Sequence, residues 1–206
     1  MTRSYYEIGG RLYGCSVSTS RDARLANLLG ALSTGLTDGI HESTIAAADL
    51  EGAAPAALIA LLDFSPDGSV HALSQVVGLT HSGAVRLVDR LVAAGYAERG
   101  PGRNARSLTV TLTPTGVAVA RRVRAARQSA ITRTIGQLSD SQRATLTELC
   151  ESLISELTQQ RLEQCAAGGT PAGGALCRMC DFTACGRDHG ACPAAQAAAT
   201  FDHPNV

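Results

Sequence analysis

The chain has 206 residues, room for one ordinary domain and an appendage. Hydrophobic residues make up 45% of it, but aromatics supply only 3% and Trp is absent, so a core must be built mainly from Leu, Val, Ile and Ala. That favours packed helices and argues against an aromatic-rich β-sandwich.

The formal net charge is zero, yet the charge is segregated. From His81 to Arg127 nine Arg stand against only Asp89 and Glu98, an excess of seven positive charges that the rest of the chain offsets. Segregation of that size points to one face built for a polyanion. The N-terminal MTRSYYEIGG has no apolar leader region, and the longest run free of Asp, Glu, Lys and Arg, residues 68–85, is broken by His71, Gln75 and His81. Such a run cannot span a membrane. These features predict a cytoplasmic protein with no membrane partner. In a reducing compartment the seven cysteines read as metal ligands, redox thiols or small core residues, not as a disulfide framework.

Residues 1–18 have mixed polarity and several Gly and Ser, and read as an extended N-terminal extension. A helix is predicted from Ser20, where Leu25, Leu28, Leu29, Leu32 and Leu36 recur at helical spacing. Pro55 opens a second helix, which ends before the turn cluster Ser65-Pro66-Asp67-Gly68. Ser69 caps a short helix that Gly78 closes, and Thr80 caps the next, with Val85, Val88, Leu91 and Val92 on one side. Two helices joined by a tight Gly-containing turn form a helix-turn-helix pattern.

After Gly95, Tyr96–Arg99 and the alternating SLTVTLT predict two strands around a Gly-rich loop, a wing. Pro114 and Gly116 open a long helix, and Ser139 with Gln142 makes a capping box for the last one, striped with Leu146, Leu149, Leu153, Ile154 and Leu157. The first helix and these last two carry more apolar surface than a small winged domain needs, which predicts packing against a second copy of the chain. Cys150 falls in the last stripe and reads as interface packing. AAGGTPAGGA, residues 166–175, reads as a flexible linker, and Pro193 starts a short helix in the tail.

The stretch from AALIALL through GLTHSGAVRLVDRLVAAGYAERGPGRNARSLTVTLTPTG resembles the MarR (multiple-antibiotic-resistance regulator) family of winged helix-turn-helix proteins over roughly residues 20–165. The most specific parts are VRLVDRL, the Gly95 boundary, the Arg-bearing wing and LTPTG. The expected fold is mainly α with a small β-wing, a winged helix-turn-helix with long N- and C-terminal dimerisation helices. The resemblance implies a homodimer that binds a pseudo-palindromic operator on double-stranded DNA and usually represses until a signal alters the spacing of its recognition helices. It also implies a small-molecule effector, with His41 as the polar residue to examine in an effector pocket. No catalytic residue is implied.

A recognition helix presents side chains near its N-terminus to base edges, here His81, Ser82, Gly83 and Arg86. Arg90, a turn further on, is placed for phosphate, and Arg103 and Arg106 flank the wing tip, suited to a minor groove or backbone. The alternative for Arg86 and Arg90 is ordinary surface pairing with Asp89 or Glu98. The family's wing commonly carries an Asp before its tip Arg; this chain has Asn104 in that region.

Cys177, Cys180, Cys185 and Cys192 follow the spacing C-x2-C-x4-C-x6-C. A C-x2-C pair directs two sulfurs to one metal, and the turns at Gly186 and Gly190 can return two more. Cys192-Pro193 ends the run as bacterial ferredoxin runs end. Four thiolates suit an iron–sulfur cluster, favoured here because the second pair is too widely spaced for a zinc knuckle, or a zinc ion. His189 is a further candidate ligand. A thiol oxidoreductase using Cys177 and Cys180 lacks the βαβ context it would need. The expected organisation is therefore an extension at 1–18, a winged helix and dimerisation domain at 19–165, a linker at 166–176 and a metal-binding tail at 177–206. The competing class is a winged-helix protein-interaction module with a structural zinc tail.

Overall fold

Four helix starts are set by capping side chains, those of Ser69, Thr80, Thr113 and Ser139. The computed structural model describes residues 6–8, 11–13, 21–66, 68–101, 108–169 and 172–201. The chain divides into two units, Met1–Asp38 and Gly39–Val206, with the boundary inside the first helix. The first unit holds an antiparallel hairpin, β1 (Tyr6–Ile8) and β2 (Arg11–Tyr13), and the start of α1 (Arg21–Ala48). Leu25, Leu28, Leu29 and Leu32 of α1 are all exposed in the single chain.

The second unit begins with the end of α1 and continues into α2 (Ala54–Ile59), buried at every position and opened by Pro55. Its last turn widens into a π-helical segment, Ala60–Phe64, where Ser65 N–H donates to the Ala60 carbonyl at 2.8 Å. Such bulges have no signature in apolar spacing. β3 (Gly68–Ser69) follows, then α3 (Val70–Val77) and α4 (His81–Ala93). Ser69 Oγ accepts from Ala72 N–H at 3.1 Å, and Thr80 Oγ1 accepts from Gly83 N–H at 3.2 Å. Gly78 ends α3 in the left-handed conformation at φ 71°, which glycine adopts without cost.

The wing is β4 (Ala97–Pro101) and β5 (Leu108–Leu112), paired antiparallel so that Arg99 faces Val110. The sheet order is β3-β5-β4. Sequence reading placed Gly68 in a turn; it pairs instead with Val110, and Ser69 with Thr109, because the helix-turn-helix needs its entry strand tied to the wing. Beyond the wing run α5 (Pro114–Ile135) and α6 (Asp140–Ala166), the latter started by the expected capping box, with Ser139 N–H donating to Gln142 Oε1 at 2.9 Å. Thr113 caps α5 and also donates to the Gly95 carbonyl at 2.7 Å, fastening the helix to the base of the wing.

Leu58, Ile59, Leu73, Val88, Leu91, Val110, Val119 and Val123 are fully buried and join α2, α3, α4, β5 and α5 in one core. Each such side chain contributes about 1.5–3 kcal/mol by leaving water. α6 buries none of its residues in the single chain: Leu149, Leu153, Ile154 and Leu157 are exposed, and so is Cys150, which is not part of this core.

The segment read as a flexible linker is pinned at several points. Arg161 of α6 donates to the carbonyls of Gly174 at 2.5 Å and Ala172 at 3.1 Å, and Ala175 N–H donates to the Val76 carbonyl at 2.9 Å. Glycine content signals freedom only where nothing captures the backbone. A 3-10 turn (Arg187–His189) and α7 (Pro193–Thr200), which packs along α6, complete the chain. Among the described residues no helix is long and apolar enough to cross a membrane.

Candidate nucleic-acid interface and the cysteine segment

α4 has two faces. Ala84, Leu87, Val88 and Leu91 are buried against the core, which fixes the helix as a rigid platform. His81, Ser82 and Arg86 are exposed on the other side, and Gly83 is half-buried. Among the described residues Arg86 makes no ion pair and no side-chain hydrogen bond. His81 lies 6.5 Å from the His71 ring of α3, so the two imidazoles share one edge of the helix pair.

The other expected contacts stand differently. Arg90 spends one guanidinium donor on the Glu51 carbonyl at 3.1 Å, bracing α4 against the loop before α2. Arg103 and Arg106 lie outside the described residues. His41 is exposed on α1 and does not line the groove described below.

The Arg excess between residues 81 and 127 is partly structural. Arg99 pairs with Asp89 at 2.8 Å, and Arg122 donates to the Ala47 carbonyl at 3.3 Å. Arg124 reaches Asp63 at 2.8 Å and Asp181 at 3.5 Å, its side chain and both partners largely withdrawn from solvent. Counting charges along the sequence therefore overstated the excess by Arg124, whose acidic partners Asp63 and Asp181 come from distant segments.

The four C-terminal cysteines are neighbours in space. Cys192 is buried, and Cys177, Cys180 and Cys185 are half-buried. The Cys177–Cys180 hydrogen bond pulls the Cys180 thiol down to about 6, opposed by burial and helped by Arg127 and Arg187; the same bond pushes Cys177 up, with burial adding. Burial also raises Cys185, which interacts with Cys192 and Cys180. Among the described residues no group of three His, Cys, Asp or Glu stands ready to hold a metal ion. The thiols are gathered without being closed around one point.

Arg187 covers two aromatic rings, 4.6 Å from the Phe182 centroid and 5.6 Å from that of Phe64, which are themselves 5.6 Å apart. Such cation–π contacts hold the cysteine segment on the π-helical turn after α2. A mainly apolar groove of about 670 Å³ opens beside them, lined by Gln75 and Val76 of α3, Leu162 and Cys165 of α6, Cys177 and Ala194.

Solved structures share this architecture. A MarR family protein from Bacillus stearothermophilus matches with a TM-score of 0.59 at 24% identity, over 66% of this chain and 95% of that one. The chain has the fold of MarR-family proteins. Another match is the Mycobacterium tuberculosis MarR family protein Rv2887 in complex with DNA, at 22% identity and TM-score 0.51 over 63% of this chain and 96% of that one. CouR from Rhodococcus jostii bound to p-coumaroyl-CoA matches at 17% identity and TM-score 0.52 over 66% of this chain and 95% of that one. No protein-family model and no curated protein matches the chain.

In this MarR fold, the residues sequence reading missed are those that anchor the cysteine segment: Asp63, Phe64, Arg124, Asp181, Phe182 and Arg187. Phe64 and Phe182 are two of only three Phe in the chain, a scarcity that was the one available signal.

Proposed function

We propose that this chain is a MarR-type transcriptional regulator, a non-enzymatic homodimer that binds double-stranded DNA and represses until a signal reaches it. The observation that carries this reading is α4, buried on one side and presenting His81, Ser82 and an unpaired Arg86 on the other. Arg presented near the N-terminus of a helix in the major groove makes bidentate bonds to guanine. The likeness to a DNA-bound MarR family protein supports the partner, and the likeness to CouR supports a small-molecule effector.

A second copy covers the exposed Leu stripes of α1 and α6, which a monomer would leave in water at a cost of about 25 cal/mol per Å² of apolar surface. Operator symmetry then mirrors protein symmetry.

Cys177, Cys180, Cys185 and Cys192 hold a metal centre, an iron–sulfur cluster in preference to zinc. The donor set is four thiols that are neighbours in space, and Arg127 and Arg187 lie close enough to Cys180 to favour its thiolate form. Closing them round a metal requires the side chains to reorient. When bound, a cluster would supply one-electron redox chemistry and zinc only a brace.

The test is footprinting of the full chain on the DNA upstream of its own gene. Two symmetric protected half-sites whose centres lie about 10 bp apart, or a multiple of that, are expected. Uniform protection would reject the operator and favour a protein-interaction module.

A further inference from the structure

The cysteine segment touches the helix-turn-helix at its turn. Ala175 N–H donates to the carbonyl of Val76, in the last turn of α3. Beside this bond the backbones of Gly78 and Gly174 meet so closely that a Cβ on either would run into the other's main chain, and both hold positive φ, 71° and 73°. Gly78 is the residue that ends α3, and Thr80, two residues on, caps α4. On the other side, only Ala175 and Leu176 separate Gly174 from Cys177.

The segment is also held at two further points. Arg124 spans Asp63 and Asp181, and Arg187 lies against Phe64 and Phe182. With those anchors fixed, a rearrangement of the thiols has little freedom to dissipate in the tail. The shortest route for it runs through Ala175 and Gly174 into the turn that sets the start of α4.

We propose that the cysteine segment is an intramolecular clamp on the helix-turn-helix, and that the Gly78–Gly174 joint carries the state of the four cysteines to the recognition helix. With the clamp engaged, the turn between α3 and α4 is rigid and DNA binding is strongest; with it released, the turn loosens. The effect on DNA rests on the regulator reading above, whereas the coupling of the two segments does not.

The experiment is amide hydrogen exchange across the full chain, together with affinity for a duplex of its own upstream DNA. It compares the unaltered protein with Ala175→Pro, which removes the N–H donor, Cys180→Ser, which disturbs the thiol cluster, and Asp181→Asn, which cuts one anchor but leaves Arg124 its Asp63 partner. The first two are expected to speed exchange at residues 77–80 by about tenfold, the loss of one well-made hydrogen bond, while amides of α2 keep their protection. Asp181→Asn is expected to give about a threefold change in the same amides. DNA affinity is expected to fall in the same order.

Unchanged exchange at residues 77–80 in these variants would overturn the proposal. Should Ala175→Pro or Cys180→Ser accelerate every amide, marking global unfolding, Asp181→Asn decides: local acceleration supports the clamp and none refutes it. If the unaltered protein binds no upstream duplex, the regulator reading falls and the clamp is judged on exchange alone.

Discussion

Asp89 of α4 is held by Arg99 of the wing at 2.8 Å. The pair ties α4 to the wing and leaves neither Arg86 nor Arg90 neutralised by that acid. Both side chains are substantially exposed, 56% for Asp89 and 30% for Arg99, so the bond is a positioning contact of only about 0.2–1 kcal/mol. Asp89→Ala is expected to leave urea stability nearly unchanged and to weaken DNA binding through a looser wing, with the difference shrinking at high salt.

Under the proposed function, Arg86, exposed on α4 and without an ion pair among the described residues, is the side chain that reads a base. Arg86→Ala is expected to cost about 1–3 kcal/mol of DNA affinity at the preferred site and to relax preference at one base-pair position. Because its side chain makes no contact that holds the fold, thermal unfolding should be unaffected. Anisotropy titrations with the native and singly substituted duplexes give both quantities.

Leu91 is fully buried where α4 meets the core. Leu91→Ala is expected to lose about 2–5 kcal/mol, removing both transfer energy and packing. Equilibrium urea denaturation followed by circular dichroism measures it, and a shift of midpoint without change of slope would mark a loss of stability alone.

Leu153 sits in the middle of the uncovered stripe on α6. Leu153→Glu is expected to turn the dimer into a monomer that keeps its helix content, and to abolish binding to a two-half-site operator. Sedimentation velocity distinguishes the species. A monomeric unaltered protein would remove the dimer from the account.

The four cysteines predict metal in protein purified without oxygen and without added metal. Iron with inorganic sulfide and a broad visible band is the expected result, and Cys185→Ser is expected to lose it. Stoichiometric zinc and no colour would leave the segment a structural brace.

Local chemistry made the scaffold legible. Ser69, Gly78, Thr80 and Ser139 announce helix ends within three or four residues, and the apolar spacing of α3 and α4 gives their buried faces directly. What sequence could not convey was pairing between distant segments. Arg124 reads as one charge in an Arg-rich run until Asp63 and Asp181 are brought to it, and the bond from Arg90 to the Glu51 carbonyl has no counterpart in local spacing. The glycines of residues 168–174 read as slack because composition reports freedom, not capture by Arg161 and Val76. The π-helical turn at Ala60–Phe64, which aims Phe64 at the cysteine segment, leaves no trace in hydrophobic spacing.

The most direct test of the central claim is a salt titration of binding to the chain's own upstream DNA against a scrambled duplex of equal length. The account predicts tight, specific binding whose affinity falls steeply and linearly in log–log form with salt, as phosphate contacts release counterions. Equal, weak binding to both duplexes at every salt concentration would contradict it.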